Sequence, residues 1–316
     1  MLVAVDMMMA ARPVNELGAS ELATYRPPAL SLIPAPLEHR RLYVPAPPTA
    51  DLNRSLVRGP AGWPQAWSWA LGMQQTLQPP AGARWGLRGS YDADFTGMGS
   101  PEATQLAAFV ERYRSSPLGL RMLQLASVTD VVSVLKDPVP GIVPVGELST
   151  VFKEPVRVSR VPDPLPRAYL VNRAIAAPGD AAWLMLAAPD FDPVTMVLLA
   201  EPPDAPPPAA DFHGVAQILE AKPDRWTVST QADAAGYLVV TEANAAGWRA
   251  EVDGRPAPVL TANILFRAVR VPAGTHTVVM RYRPAAVPLG LCVSAAAVIL
   301  TGALLVSTRR KEAAGA

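Results

Sequence analysis

The sequence predicts an α+β region, then an all-β, sandwich-like domain, then one C-terminal transmembrane helix. Three observations carry that reading. Pro284 to Thr308 is a run of 25 residues without a charge, bounded by Arg283 and Arg309. Before it, residues 213–283 alternate polar and apolar side chains between short turns, the period of strands with one buried face. Earlier still, helical and strand patterns are mixed, and the tract from Pro202 to Pro208 separates them from the all-β part.

Composition bounds what the chain can be. At 316 residues and 50% apolar content it has ample material for a buried core, while charged residues reach only 17%, below the roughly 25% of soluble domains. A net charge of +1 is too small for general electrostatic binding of nucleic acid, so that partner is excluded. One cysteine, Cys292, permits neither an intrachain disulfide nor a thiolate metal cluster. Arginine outnumbers lysine 24 to 4, and alanine and proline are abundant, a bias that weakens individual prolines as structural signals.

Residues 1–11 are expected to be the end of a truncated membrane helix or a disordered start: the apolar run stops at Asp6 and no basic segment precedes it, so they do not read as a secretory signal. Two readings stay open, a tail-anchored chain with a cytosolic domain, or a chain that begins inside another membrane helix. Residues 12–201 make the mixed α+β region. From Arg12 to Pro80 proline pairs such as Pro27-Pro28, Pro47-Pro48 and Pro79-Pro80 recur, predicting extended segments and turns. Trp63, Trp67, Trp69 and Trp85 cluster nearby; such rings stack on sugars or sit at membrane interfaces, but filling a small core is their commoner fate.

Ser100-Pro101-Glu102 is a helix start, with a capping serine, proline at the first position and an early acid. Leu106, Phe109, Val110 and Tyr113 follow at helical spacing. A second helix is expected over Leu118–Leu125, and strands over Val128–Leu135, Val156–Arg160 and Ala168–Asn172. A helix at Asp180–Ala187 and a strand at Thr195–Leu199 complete the region, and 202–212 is a linker.

In the all-β part, strands are expected at Trp226–Thr230, Tyr237–Glu242, Trp248–Val252, Arg255–Leu260, Ile264–Val271 and Thr275–Tyr282. Asp253-Gly254 is a two-residue hairpin turn. Trp248, Ala250 and Val252 share one face, and the Trp248 ring is expected between two sheets. The uncharged run then spans roughly 37 Å as a helix, enough for a hydrocarbon core of about 30 Å, with Val287–Val306 as its membrane segment. Arg270, Arg281 and Arg283 precede it and Arg309, Arg310 and Lys311 follow. The basic triplet abuts the helix directly and favours a cytoplasmic tail at 309–316.

The residues offer little chemistry. Asp92, Asp94 and Gly97 superficially fit a calcium loop, yet Thr96 holds its fifth position and Ala103 its twelfth, where a bidentate glutamate is needed. His39, His213 and His276 are far apart and form no helical metal pair. No metal site, phosphate loop, nucleophile elbow or cofactor motif is found, so no cofactor is expected. Asp92 and Asp94 are the one carboxylate pair placed to meet substrate hydroxyls, with stabilisation of a turn as the plainer role. Arg167, Arg249 and Arg281 can hold a lipid phosphate through paired N–H donors, or serve as ordinary solvated charge on strand faces.

Several blocks then resemble one family. Gly236-Tyr-Leu-Val-Val-Thr-Glu, Gly247-Trp-Arg-Ala-Glu-Val-Asp-Gly-Arg-Pro, Phe266-Arg-Ala-Val-Arg-Val-Pro-Ala-Gly-Thr-His-Thr-Val and Arg281-Tyr-Arg-Pro occur in the order seen in the C-terminal region of YfhO-type bacterial membrane proteins. Upstream, Gly89-Ser-Tyr91-Asp92 resembles that family's Gly-Tyr-Asp block with a serine inserted. Leu165-Pro-Arg167-Ala-Tyr169 and Phe191-Asp-Pro193 also fit, and Val3 through Asn15 looks like the end of the helix leading into its extracytoplasmic region. The resemblance implies a polytopic, GT-C glycosyltransferase-like protein of the bacterial cell membrane, acting with a polyprenyl-linked sugar on envelope glycans or lipids. Its catalytic acids lie after the first membrane helix, which this sequence lacks. The chain is therefore expected to be a non-catalytic C-terminal portion, partnered by membrane lipid and a missing N-terminal polytopic half, with its main domain extracytoplasmic. The alternative is a self-standing, membrane-anchored module that binds glycan or protein. Under either reading, Tyr91, Asp92, Asp94, Arg167, Arg249 and Arg281 are the chain's candidate ligand-binding residues.

Overall fold

A computed structural model describes residues 20–45, 59–92, 97, 99–136, 138–201 and 211–314. The expected helix end at 1–11, Asp94, Thr96 and residues 202–210 of the linker lie outside the described residues. The chain divides into two compact units, Met1–Arg167 and Ala168–Ala316.

The first unit is α+β, as the sequence predicts. Helix α1 (Ser20–Thr24) and strand β1 (Arg41–Tyr43) are followed by α2 (Gln65–Gln75) and β2 (Arg88–Gly89). Helices α3 (Pro101–Tyr113) and α4 (Pro117–Leu125) lead to β3 (Asp130–Ser133), β4 (Val143–Leu148) and β5 (Val156–Arg160). Among the described residues these strands form one sheet in the order β2-β1-β3-β5-β4, with β1 parallel to both its neighbours and β5 antiparallel to both of its own. The serine cap stands where expected, the Ala103 amide donating to Ser100 Oγ at 3.2 Å, and α3 buries Leu106 and Val110.

Helix α2 corrects the reading of Arg12–Pro80 as extended segments and turns. Its eleven residues contain no proline, so a stretch between Pro64 and Pro79 was long enough for three turns despite the punctuation around it. Leu71 enters a cluster with Leu30, Leu42, Val132, Val156 and Val158, against which Trp63, Trp69 and Trp85 also pack. Those rings take the core-filling role. At the start of the central strand β3, Asp130 is fully buried and accepts from Arg40 Nε and Nη2, both at 2.8 Å, and from Thr129 Oγ1 at 2.8 Å. Three donors on one carboxylate offset the cost of removing it from water.

The second unit starts upstream of the expected linker. β6 (Ala168–Val171), β7 (Arg173–Ala176), α5 (Asp180–Ala187) and β8 (Met196–Leu199) precede 202–212, yet their strands pair with strands that follow it. The later strands are β9 (Gly214–Ala221), β10 (Arg225–Ala232), β11 (Gly236–Ala243), β12 (Trp248–Val252), β13 (Arg255–Ala257), β14 (Leu260–Ala262), β15 (Phe266–Val271) and β16 (Gly274–Tyr282). Five form a sheet in the order β13-β12-β16-β10-β9 and six another, β6-β11-β15-β14-β8-β7. The strand expected over Arg255–Leu260 is thus two strands in two sheets. Pro256 and Pro258 lack the N–H a continuous ladder needs, and the chain crosses over between them and Leu260.

Both sheets contribute to one buried cluster: Trp226, Val228, Ala250, Val278 and Met280 from the first, Leu170, Leu238, Val240, Val269 and Val271 from the second. The hairpin between β12 and β13 turns at Asp253 (φ 51°) and Gly254 (φ 76°), two left-handed positions in succession as that short turn requires. After β16 comes helix α6 (Ala286–Ala314), whose residues Ala286–Ala303 are long and apolar enough to cross a membrane. Val287, Leu289, Leu291, Val298, Ile299 and Leu300 are between 57% and 72% exposed. So much uncovered apolar surface on one helix is what a lipid-facing segment presents. The helical backbone continues past Thr308, through the basic triplet to Ala314.

Candidate functional site

The predicted residues fall in two places. In the first unit, Leu42, Val44, Leu77, Pro79, Pro80 and Leu87 line a cleft of about 230 Å³ that also receives Asp92. The block around Asp92 builds a turn. Tyr91 adopts φ 58° and its hydroxyl donates to the Met122 carbonyl at 2.9 Å, fastening the turn to α4. The Asp92 carboxyl folds back over Gly89, where a Cβ would come within 1.8 Å of Oδ2. Glycine at 89 is what lets the acid lie there. Burial is the main influence on Asp92 and raises its pKa to about 6, against the opposing charge of Arg41. At neutral pH such a carboxyl exchanges readily between donor and acceptor forms, able to meet a hydroxyl or amide of a bound molecule.

Beyond the cleft, Tyr43 donates to Glu111 Oε2 at 2.9 Å and Arg114 Nε to Glu111 Oε1 at 2.7 Å. Burial, then the Glu111 charge, hold the Tyr43 phenol in its protonated form well above the ordinary range. That network is structural. Arg167 ends the first unit half-buried, whereas Arg249 and Arg281 belong to the second. Among the described residues no three His, Cys, Asp or Glu side chains converge on a metal position.

The second place is the end of β10, β12 and β16 nearest α6. Register sets Arg281 directly opposite Arg225 on one side and opposite Arg249 on the other. The three guanidinium stems therefore form a row across the outer face. Like charges directly opposite destabilise a sheet, and two of them are countered: Arg281 Nη1 meets Glu251 Oε2 at 2.9 Å and Arg225 Nε meets Glu220 Oε2 at 3.1 Å. Arg249 is exposed, and among the described residues no carboxylate pairs with it.

On the inner side of the same strand ends lies a residue that the sequence reading passed over. Arg267 is only 2% exposed, with its guanidinium 3.7 Å from the Trp248 ring centroid and 5.9 Å from that of Trp226. The signal was present: in Phe266-Arg-Ala-Val-Arg-Val271, period two puts Arg267 on the face of Val269 and Val271. Trp248 itself is half-buried against the edge of the core, its ring tilted by 43° against that of Tyr282 at 5.4 Å. The ring enclosed by the sheets is Trp226, 2% exposed. Position explains the difference, since Trp248 opens its strand while Trp226 lies one residue inside a longer one.

A tight joint then fixes where α6 begins. The Arg283 amide donates to the Gly247 carbonyl at 2.8 Å, and the Val287 amide to the Pro284 carbonyl at 3.2 Å. Gly247, at φ 113°, packs so closely that a Cβ would stand 2.8 Å from Pro284 Cα. Helical hydrogen bonding thus starts at Pro284, directly after β16 and Arg283.

This strand-to-helix stretch is the part of the chain that matches a known family. Residues 216–294 match the family model of the bacterial membrane protein YfhO. The YfhO-type region runs from β9 into the first turns of α6 and includes the arginine row, the Arg267 stack and the Gly247–Pro284 joint. It begins downstream of Tyr91, Asp92 and Arg167. No curated protein and no solved structure matches the chain. The family and the apolar helix together associate the protein with a membrane.

Proposed function

We propose that this chain is the C-terminal, accessory and non-catalytic portion of a YfhO-like integral membrane protein, serving glycosyl transfer from a polyprenyl-linked sugar onto cell-envelope polymers or lipids. The supporting observation is the joint itself: a two-sheet, sandwich-like unit whose last strand passes into an apolar helix through only Arg283, Pro284 and Ala285, within a region of YfhO type. Such a unit is carried at the lipid surface with a defined orientation. In this reading it lies on the extracytoplasmic side, where envelope acceptors are found, and the polytopic partner supplies the catalytic acids.

Topology is the test. Reporters fused before residue 12 and after residue 311 are expected to place the main domain outside and the tail inside. A cytosolic domain would overturn the envelope role. Loss of the chain should also lower the sugar content of an envelope polymer, and an unchanged polymer would remove the link to glycosyl transfer.

The cleft at Asp92 favours a second reading, a membrane-anchored module that binds a glycan or protein. An apolar wall with one ambivalent carboxyl suits a sugar face that presents both C–H and hydroxyl groups. Saturable binding of an envelope glycan to the full chain, lost in Asp92→Ala, would favour the module.

A further inference from the structure

We infer that the outer face of β10, β16 and β12 at its α6 end, the row Arg225–Arg281–Arg249, is a docking surface for the phosphate headgroups of anionic phospholipids. This rests on the membrane reading of α6 and adds to it a specific lipid contact.

Proximity is the first argument. Arg281 precedes Ala286, the first residue of α6, by five positions, so even a fully extended chain would separate them by no more than about 17 Å. The actual connection is shorter, because helical bonding starts at Pro284. The headgroup layer is about 5–7 Å deep on each side of the hydrocarbon, and arginine stems reach toward it while their apolar parts stay packed. Exposed Arg283 extends the row to the point where the chain becomes helical.

Charge is the second argument. Arg249 carries a full positive charge with no carboxylate paired to it among the described residues, and Arg281 spends only one nitrogen on Glu251. A guanidinium has five N–H donors in a planar fork that fits phosphate oxygens, so donors remain on both. Arginine is the prevailing cation of this whole chain, and its identity alone therefore says little. The position says more: three guanidiniums stand in register on adjacent strands, and with Arg281 and Arg225 countered by Glu251 and Glu220 the charge of Arg249 is left over for an anion.

Rigidity is the third. The residue before Arg249 is Trp248, held between Tyr282 and the Arg267 guanidinium. The joint of Gly247 with Arg283 and Pro284 fixes the start of the same strand. The row is presented by a backbone already set in place, which lowers the ordering cost of binding.

The test uses the full chain reconstituted in phosphatidylcholine vesicles, with phosphatidylglycerol added stepwise and the thermal unfolding midpoint followed by tryptophan emission. The midpoint is expected to rise with the anionic fraction and to lose that rise in high salt. One arginine near an anionic surface is worth about 1 kcal/mol, so the phosphatidylglycerol fraction giving half the rise should increase about fivefold in Arg249→Gln. Arg249→Lys, which keeps the charge without the fork, should fall between wild type and Arg249→Gln, and Arg255→Gln at the opposite end of the sheet should behave as wild type. An Arg249→Gln titration that overlays the wild type would overturn the inference. So would an equal rise when inorganic phosphate is added to vesicles of phosphatidylcholine alone, which would make the row a site for free phosphate. If the chain washes off the vesicles at alkaline pH, the membrane reading of α6 falls and this inference with it. If it stays but ignores the anionic lipid, only this inference falls.

Discussion

Replacing half-buried Gly247 by alanine should damage the second unit markedly. Two costs combine there. At φ 113° an L side chain is strained, typically by about 1–3 kcal/mol. In addition, the new Cβ would stand 2.8 Å from Pro284 Cα and 3.0 Å from Pro284 N, and overpacking of that kind costs about 1–3 kcal/mol more. The total is about 2–6 kcal/mol, a large part of the stability of an ordinary domain. Gly254 supplies the control. It too has a left-handed φ, 76°, but a Cβ there meets nothing within 4 Å, so Gly254→Ala bears the backbone strain alone, about 1 kcal/mol. Denaturant unfolding of the full chain in detergent, followed by tryptophan emission, should rank Gly247→Ala below Gly254→Ala by at least about 1 kcal/mol. Pro284→Ala should give no rescue, because the collision is with backbone atoms. Equal stabilities for the two glycine variants would refute the idea that close packing at Pro284 holds the helix against the sheet.

Three further outcomes follow from particular contacts. Asp130→Ala strips Arg40 and Thr129 of their shared acceptor and should destabilise the first unit by about 3 kcal/mol or more, measured as a shift in the unfolding midpoint. Asp92, whose pKa burial raises from 3.8 to about 6, adds stability that is complete below the unfolded value and lost as pH rises through about 6. Asp92→Asn should therefore be the more stable protein at neutral pH, by up to about 3 kcal/mol, and its midpoint should be flat across a range where the wild type declines. His276 has its pKa raised, first by the Asp253 carboxylate and then by the Ala273 carbonyl, so its contribution is complete below about pH 6.5 and fades as pH rises through the folded value. Asp253 is held low, first by the Thr277 amide and then by His276, and its share fades as pH falls through its own folded value. The loss caused by His276→Gln should thus be largest in mildly acidic buffer and vanish on the alkaline side, and a loss that is constant with pH would show that the ring acts only by packing.

Legibility followed the physical range of each signal. Period-two alternation and a two-residue turn are local, so β12, the Asp253-Gly254 turn, β16 and α6 are readable from the chain, as are the serine-capped α3 and the short β5. Pairing is not local. Nothing in Ala168–Val171 distinguishes a strand of the first unit from one that hydrogen bonds to β11, so the compact units divide at 167/168 and not at the proline tract. Proline density misled between Arg12 and Pro80 because a helix needs only an interval free of proline, and Gln65–Gln75 is one. Of the candidate residues, Arg249 and Arg281 could be placed on strands, but their alignment with Arg225 depends on the register of three antiparallel neighbours, which period alone leaves open. The turn at Asp92 was legible as a turn. Its cleft was not, since Leu42, Leu77 and Leu87 reach it from separate segments.

The membrane end of the second unit shows how one alternation can write two chemistries. Trp226, Trp248 and Met280 face inward with Arg267 between the rings, and Arg225, Arg249 and Arg281 face outward, each one residue along the chain from an inward neighbour. A slip of one residue in β12 would exchange them, burying the Arg249 charge and exposing Trp248. Burial of an unpaired guanidinium costs several kcal/mol, so the charge disfavours the slipped state. Register is also fixed at both ends of the strand, by the left-handed pair at 253–254 and by the Gly247 carbonyl on Arg283. The same devices that settle the fold therefore settle which side of the sheet carries positive charge, and they do so beside the first turn of the apolar helix. Under the lipid docking proposed above, that coupling has a use, because a helix anchors a domain but leaves it free to rotate, whereas a charged row in fixed register would select the face that turns to the lipid.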